Sequence, residues 1–279
     1  MPEKLITLLA IGGSDPTGGA GIQADIRAAN SLGIHAVTIV TSVTVQNSRK
    51  FYAVNPVSPD IIRRQWEAVM TEVVPDAIKI GMTGSPQNCA VIGECLRSIG
   101  GDIPLVVDPV LKATMEESVE SQVTENIISQ YLSLIFPFAT AVTPNIVEAK
   151  EILQHGGISP SHDPIPLVIE LLKFAGCNSI ILKGGHTHDG DIITDYLADF
   201  FNEAVVVSKS SHPRVNCMNL HGTGCLYSSL LASFLALGFP LHDSFLKTSR
   251  KVYEIISASC GYSLGDSSYG PLNITGYRL

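Results

Sequence analysis

A chain of 279 residues, 45% hydrophobic and only 16% charged, has ample material for a packed core and is too apolar to be a disordered chain. With 26 acidic against 18 basic residues, a formal charge of −8, it carries no domain-wide basic field. That argues against nucleic acid as a partner and leaves any anionic ligand to local cations and backbone amides.

The first 13 residues hold one short apolar run, 5–11, followed by a glycine-rich loop instead of a small-residue cleavage site. This reads as a first core strand, 6–11, and not as a signal peptide. A helical pattern follows at 19–32, then a strand at 36–41, a helix at 59–73, a strand at 77–80 and a helix at 87–99. Next come a strand at 105–108, a helix at 123–136, a strand at 139–143, helices at 146–153 and 164–175, and a strand at 179–183. The strands are nearly continuous apolar runs, the pattern of parallel strands covered on both faces, and their alternation with helices implies a parallel sheet between two helical layers. Beyond Lys183 the pattern changes: strands 192–197 and 204–208 flank a turn at 199–203, which suggests an antiparallel pair. Helices 224–237 and 241–262 close the chain. No long linker, low-complexity tract or repeat interrupts this series. The expected fold is one α/β domain over 1–279, with a mostly parallel sheet, helices on both faces and an antiparallel edge.

Residues 215–242 contain no Asp, Glu, Lys or Arg, but the continuous apolar part, 225–237, is 13 residues long. A membrane span needs about 20, so a core helix is the better reading and no membrane is expected as a partner. The six cysteines, at 89, 95, 177, 217, 225 and 260, form no CxxC pair and are too sparse for a disulfide scaffold. Reduced thiols in a cytoplasmic protein are the economical expectation.

Ligands of open α/β sheets bind beyond the carboxyl ends of the strands, so the residues just after each strand carry the functional reading. After the first strand come Gly12 to Gly21, ten residues that include Gly19 and Ala20 and of which five are glycine. This loop lacks the Gly-Lys-Ser/Thr ending of a P-loop and the GxGxxG spacing. Asp25, in the helix that follows, is ordinarily a dipole or capping group. After later strands come Asp108-Pro109, then Thr143-Pro144-Asn145 with Glu148 one turn on, then Lys183-Gly184-Gly185-His186. Asn145 and Glu148 serve equally as helix caps or as oxygen donors to a water-rich Mg2+ site. Lys183 is a solvated strand end or, given the glycines after it, a phosphate contact. The run from His186 to Asp191 has the composition of a metal cluster, but Asp189-Gly190 signals a turn. Gly222-Thr223-Gly224-Cys225 precedes an apolar helix, where successive free amides make an anion site and lower a thiol pKa; a small buried cysteine is the alternative.

Taken together, Ile11 to Asp25 (IGGSDPTGGAGIQAD), Thr44 to Asn47 (TVQN), Lys79 to Gly84 (KIGMTG), Val106 to Val110 (VVDPV), Thr143 to Glu148 (TPNIVE), Leu182 to His186 (LKGGH) and His221 to Cys225 (HGTGC) resemble the ribokinase-like superfamily. More narrowly, the chain resembles the hydroxymethylpyrimidine/phosphomethylpyrimidine kinases of thiamine biosynthesis, with pyridoxal kinases as near relatives. The resemblance implies ATP and Mg2+ as cofactors, a pyrimidine or pyridoxal as the small-molecule substrate, and a homodimer. It implies that Asp25 and Gln46 bind the pyrimidine's polar edge, with Gly19 and Ala20 beside it, and that Met82 and Val110 line its ring. It implies that Asn145, Lys183, Gly184 and Thr223 contact the nucleotide, with Asp108 and Glu148 at the metal. Gly222, Thr223 and Gly224 would then form the anion hole, and Cys225 the residue beside the accepting hydroxyl. The chain departs from the family after Val110: the customary lysine position holds Thr114, with Lys112 two residues earlier.

Overall fold

The computed structural model describes residues 4–47, 50–99, 103–111, 121–186, 190–202, 204–218, 220–264, 271–274 and 276. Thr114, Lys112 and the segment 187–189 lie outside the described residues. In chain order the elements begin β1 (Thr7–Ser14), α1 (Gly21–Asn30), β2 (His35–Gln46), β3 (Phe51–Pro56), α2 (Pro59–Met70), β4 (Ala77–Ile80), α3 (Pro86–Ser98) and β5 (Leu105–Val107). They continue α4 (Ser121–Gln130), β6 (Ala141–Val142), α5 (Ile146–His155), α6 (Pro164–Ala175), β7 (Ser179–Leu182), β8 (Ile192–Phe201), β9 (Ala204–Pro213), α7 (Thr223–Ala236) and α8 (Leu241–Ser259).

The described strands form one sheet in the order β3-β2-β1-β4-β5-β6-β7-β8-β9. β2, β1, β4, β5, β6 and β7 run parallel, and β8 and β9 add antiparallel strands at one side. The expected α/β fold is observed, with a second antiparallel edge that the sequence reading missed. β2 extends five residues past its expected end and pairs with β3, which had not been recognised. Most of β3 is exposed, so the continuous apolar signature of the central strands is absent there.

Side chains alternate across each strand and fill two layers. Leu9, Ile11, Ile78, Ile80, Val107, Val142, Ile180 and Leu182 pack into one core with residues of α2, α3, α5 and α6. Leu8, Ala77, Val106, Ala141 and Ile181 pack into the other, with α1, α7 and α8. The parity fixes the chemistry that follows: Lys79, Asp108 and Lys183 continue the second series, toward α1 and α7. The expected helix at 123–136 is broken at its end, where Tyr131–Ile135 widen into a π turn and Phe136–Phe138 tighten into a 3-10 turn before Ala139. The buried Tyr131 hydroxyl donates to Gly81 O at 3.1 Å, tying that irregular turn to the end of β4. None of the described helices is long and apolar enough to cross a membrane.

Candidate active site

A cavity of about 750 Å³ opens beyond the carboxyl ends of the parallel strands. Its first wall is the loop between β1 and α1, which Asp15 organises. This carboxylate is 1% exposed. It accepts from Thr17 N at 2.8 Å, Thr17 Oγ1 at 2.9 Å, Ala20 N at 2.8 Å and His221 Nε2 at 3.1 Å. Burial raises its pKa, but those bonds outweigh it and hold the group below the usual carboxylate range. The same bonds dock the loop before α7 onto the loop before α1. Gly222 makes that approach possible, and Gly21 the tight turn of the first loop itself. Gly222 has φ +82°, and a Cβ there would lie 1.9 Å from Gly19 O; Gly21 has φ +59°, with its Cβ 2.2 Å from Gly13 O.

The opposite wall holds the charges. Lys183 Nζ donates to Asp108 Oδ1 at 2.7 Å. Glu148 and Asn145 cap α5 reciprocally: Glu148 Oε2 accepts from Asn145 N at 2.8 Å, and Asn145 Oδ1 accepts from Glu148 N at 2.9 Å. The capping reading of this pair is observed, and both residues also line the cavity. Burial, helped by the Asp108 charge and resisted by Lys183, pushes the Glu148 carboxyl up to about 7. Burial alone would lower Lys183, but Asp108 and Glu148 raise it. Two carboxylates thus face one lysine, an excess of negative charge that a divalent cation fits. Among the described residues no group of three or more His, Cys, Asp or Glu side chains forms a protein-only cage. A hard ion that keeps waters and takes phosphate oxygens suits such a sparse donor set.

The third wall is the start of α7. Its first helical bond runs from Leu226 N to Gly222 O at 2.9 Å. Thr223 lines the cavity as expected, and its N–H and its hydroxyl both donate to Leu220 O, at 3.2 and 3.0 Å, which closes the turn before the helix. In their own turn, the N–H groups of Gly224 and Cys225 have no such partner outside the helix among the described residues. A Cβ at Gly224 would lie 3.4 Å from both Asp108 Oδ2 and Lys183 Nζ, which shows how closely this turn approaches the charges. Cys225 lies on the cavity wall. Its pKa runs against the expectation from the helix N-terminus. Burial, with the charges of Asp25 and Asp108, pushes the thiol up to about 11 against the opposing pull of Lys79 and the Gly21 N–H.

Asp25 is a second correction. It is absent from the cavity wall and 0% exposed. Its oxygens accept from Lys79 Nζ at 2.9 and 3.0 Å, and Ser229 Oγ donates to Oδ1 at 2.7 Å. The pair lies beneath the cavity floor, where the Lys79 side chain forms part of the lining. Burial opposes the ammonium, but Asp25, Cys225 and Asp108 raise its pKa. Lys79→Met is expected to strand the Asp25 charge and to lower unfolding free energy by about 3–5 kcal/mol, as when one partner of a buried pair is removed. Urea melts of Lys79→Met and of Lys79→Met/Asp25→Leu test this. The double variant should recover most of the loss; a single variant as stable as the parent would show that the pair carries no such coupling.

Of the remaining sequence-derived residues, Gly19, Ala20, Gln46, Met82, Val110, Gly222 and Gly224 all line the cavity. Gly184 does not: its N–H donates to Asp195 Oδ1 at 2.9 Å, and a Cβ would meet Thr194 O at 2.1 Å. Gly185 takes its place on the wall. Lys79, Asp15 and Asp195 were missed as site residues. Lys79 alone left a signal, as a charge inside a four-residue apolar strand, which burial can tolerate only beside a carboxylate.

The family model described as phosphomethylpyrimidine kinase matches residues 15–273. The hydroxymethylpyrimidine/phosphomethylpyrimidine kinase of Bacillus subtilis (strain 168) is 34% identical over 267 residues, 95% of this chain and 93% of that protein. The crystal structure of phosphomethylpyrimidine kinase from Clostridium difficile 630 is similar with TM-score 0.71 at 32% identity, covering 89% of this chain and 98% of that one. The pyridoxal kinase from Staphylococcus aureus in complex with AMP-PCP is similar with TM-score 0.83 at 26% identity, covering 99% and 95%.

Proposed function

The chain belongs to the phosphomethylpyrimidine kinase family and is a kinase of hydroxymethylpyrimidine and its phosphate; we propose that the cavity described above performs the transfer from ATP, with Lys183, Asp108, Glu148, Gly224 and Cys225 as its working groups. The observation that carries this assignment is one cavity in which a lysine and two carboxylates face the free amides that open α7.

Phosphoryl transfer requires in-line positioning and neutralisation of spreading charge more than covalent chemistry by the protein. The hydroxymethyl oxygen forms a bond to the γ-phosphorus as the bond to the ADP oxygen breaks, and the hydroxyl proton must leave. Lys183 meets the phosphate oxygens from the end of β7. The N–H groups of Gly224 and Cys225 meet the charge that develops on the transferred group. Asp108 and Glu148 would hold Mg2+, which supplies further positive charge to the phosphates. Cys225 receives the hydroxyl proton or orients the hydroxyl.

The substrate alcohol occupies the side bounded by Gly19, Ala20, Gln46, Met82 and Val110. The Gln46 amide has no hydrogen-bond partner among the described residues, and a ring nitrogen and exocyclic amine supply both kinds of partner it needs. Asp25, buried under Lys79, takes no part in that recognition. Gln46→Leu should raise KM for the aminopyrimidine at least tenfold while KM for ATP stays nearly constant, because a site built on polar pairs rejects loss of one strongly. Equal losses for both substrates would mean a folding defect and remove Gln46 from the site. Turnover of hydroxymethylpyrimidine, its monophosphate and pyridoxal with Mg-ATP tests the whole reading. The two pyrimidines should dominate, and a preference for pyridoxal would overturn it.

The same proposal includes a homodimer in the cytoplasm. The β2–β3 ribbon supports the dimer, with Val43 and Val45 half-exposed on one of its faces, and six unpaired cysteines support the compartment. Light scattering should give twice the chain mass, falling to the monomer in Val43→Glu/Val45→Glu.

A further inference from the structure

A run of buried hydrogen bonds joins two walls of the cavity. Asp195 of β8 is 4% exposed and lies on the cavity wall. Its Oδ1 accepts from Gly184 N at 2.9 Å, in the turn that directly follows Lys183, and its Oδ2 accepts from Ser249 Oγ of α8 at 2.5 Å. The Tyr227 hydroxyl lies 3.3 Å from the same Ser249 Oγ. Ser249 gives its one proton to the carboxylate, so Tyr227 is the donor in that contact. Both hydroxyl residues are buried, and Tyr227 stands two residues after Cys225 in α7. The bonds therefore lead from the end of β7, through β8 and α8, to the helix that carries Cys225. On its other side the same strand end is held by Lys183 N, which donates to Pro144 O at 2.9 Å.

A carboxylate in this place is costly. Burial pushes the Asp195 carboxyl up, and the bonds from Ser249 and Gly184, with the charges of His212 and Lys183, resist it. An apolar residue of the same volume would avoid the desolvation, so packing alone does not account for an acid here. We propose that Asp195 is a positioning residue of the transfer: it fixes the turn from which Lys183 reaches the phosphates and, through Ser249 and Tyr227, holds that turn at a set distance from the start of α7. This rests on the reading above, in which Lys183 meets the phosphate oxygens. The Lys183 ammonium sits on a long flexible stem, so the place of its backbone decides what it can reach. Without the carboxylate the Gly184 N–H loses this acceptor, and the turn is free to shift against β8. In-line transfer tolerates little displacement of a charge-stabilising group.

Asp195→Leu keeps the volume and removes both acceptors. Asp195→Asn keeps an acceptor for Gly184 N, and the hydroxyls of Ser249 and Tyr227 can turn to receive its amide. With hydroxymethylpyrimidine and Mg-ATP, well below each melting midpoint, the leucine variant should lose about tenfold to hundredfold in kcat, with KM for the alcohol within about twofold of the parent. The asparagine variant should recover most of that loss. The decisive comparison is made in Lys183→Met. A residue that acts through Lys183 has nothing left to position there, so adding Asp195→Leu should lower the melting temperature and leave kcat where Lys183→Met put it. Losses that multiply, a leucine variant with the parent kcat, or an asparagine variant as slow as leucine, overturn the proposal. If the leucine variant does not fold, Ser249→Ala cuts the same run of bonds with a smaller change. Its kcat should fall in the parent and be unchanged in Lys183→Met; no fall in the parent, or an equal fall in both, overturns the proposal. Lys183→Met alone turning over like the parent would instead overturn the placement of Lys183, and that result is read before Asp195 is altered.

Discussion

Lys183→Met is expected to lower kcat with Mg-ATP by about 10²–10³-fold, the usual loss when one preorganised charge-stabilising group is taken from a phosphoryl or acyl transfer site. The geometry makes the loss twofold in kind. The variant removes the cation at the end of β7, and it leaves Asp108 and Glu148 without the ammonium that lies 2.7 Å from Asp108 Oδ1. Lys183→Arg keeps charge but spreads it over a wider fork, and should recover only part. Thermal melting of both variants separates chemistry from folding. A methionine variant that turns over within threefold of the parent across the Mg2+ range would remove Lys183 from the transfer step.

Cys225→Ala should cut kcat by about 10²–10⁴-fold and leave KM for ATP largely unchanged, if the thiolate takes the hydroxyl proton. The pH dependence sharpens this. With a pKa pushed up to about 11, the thiol is overwhelmingly protonated at pH 7, and the thiolate fraction grows tenfold for each unit of pH below that value. A thiolate base therefore predicts that kcat/KM climbs with slope one from pH 7 toward 10 in the parent and is flat in Cys225→Ala. Cys225→Asp, ionised across that range, should recover part of the rate with no slope. A near-normal kcat for alanine, or a flat parent profile, would leave the thiol as an orienting group and the catalysis to the amides and the cations.

The sequence was most legible where burial leaves one pattern. The strand at Ala77–Ile80 and the helix at Pro164–Ala175 were read to the residue, because short apolar runs and a Pro-started amphipathic stretch have few alternatives. β3 was not, since a mostly exposed edge strand lacks an apolar signature. At the site, position was readable and commitment was not. Asp25 and Gly184 fall in the right segments, yet each has its polar groups spent inside the protein, on Lys79 and Asp195. Whether a polar group faces a ligand or a neighbour depends on partners that no local spacing encodes. The Cys225 pKa is the same lesson in electrostatics: the helix terminus was visible in the chain, but the burial that raises the thiol, and the carboxylates of Asp25 in α1 and Asp108 just after β5 that add to it, come from the tertiary fold.

The Ser229 hydroxyl closes the Asp25–Lys79 pair from 204 residues away along the chain. Asp25 and Lys79 are made early in synthesis, and the strand and helix that carry them can meet long before α7 exists. Until Ser229 arrives, that carboxylate lacks its third partner, and the loop at Gly19 lacks the turn at Gly222 that packs against it. Closing so long a loop carries an entropic cost that only late contacts repay. The candidate site is accordingly a C-terminal completion of an N-terminal scaffold. On the ribosome, a chain arrested before α7 emerges would hold all nine described strands but not the turn at Gly222 that walls the cavity, so ligand could not serve as an early folding aid. Stabilisation by nucleotide or substrate acts only on the finished molecule.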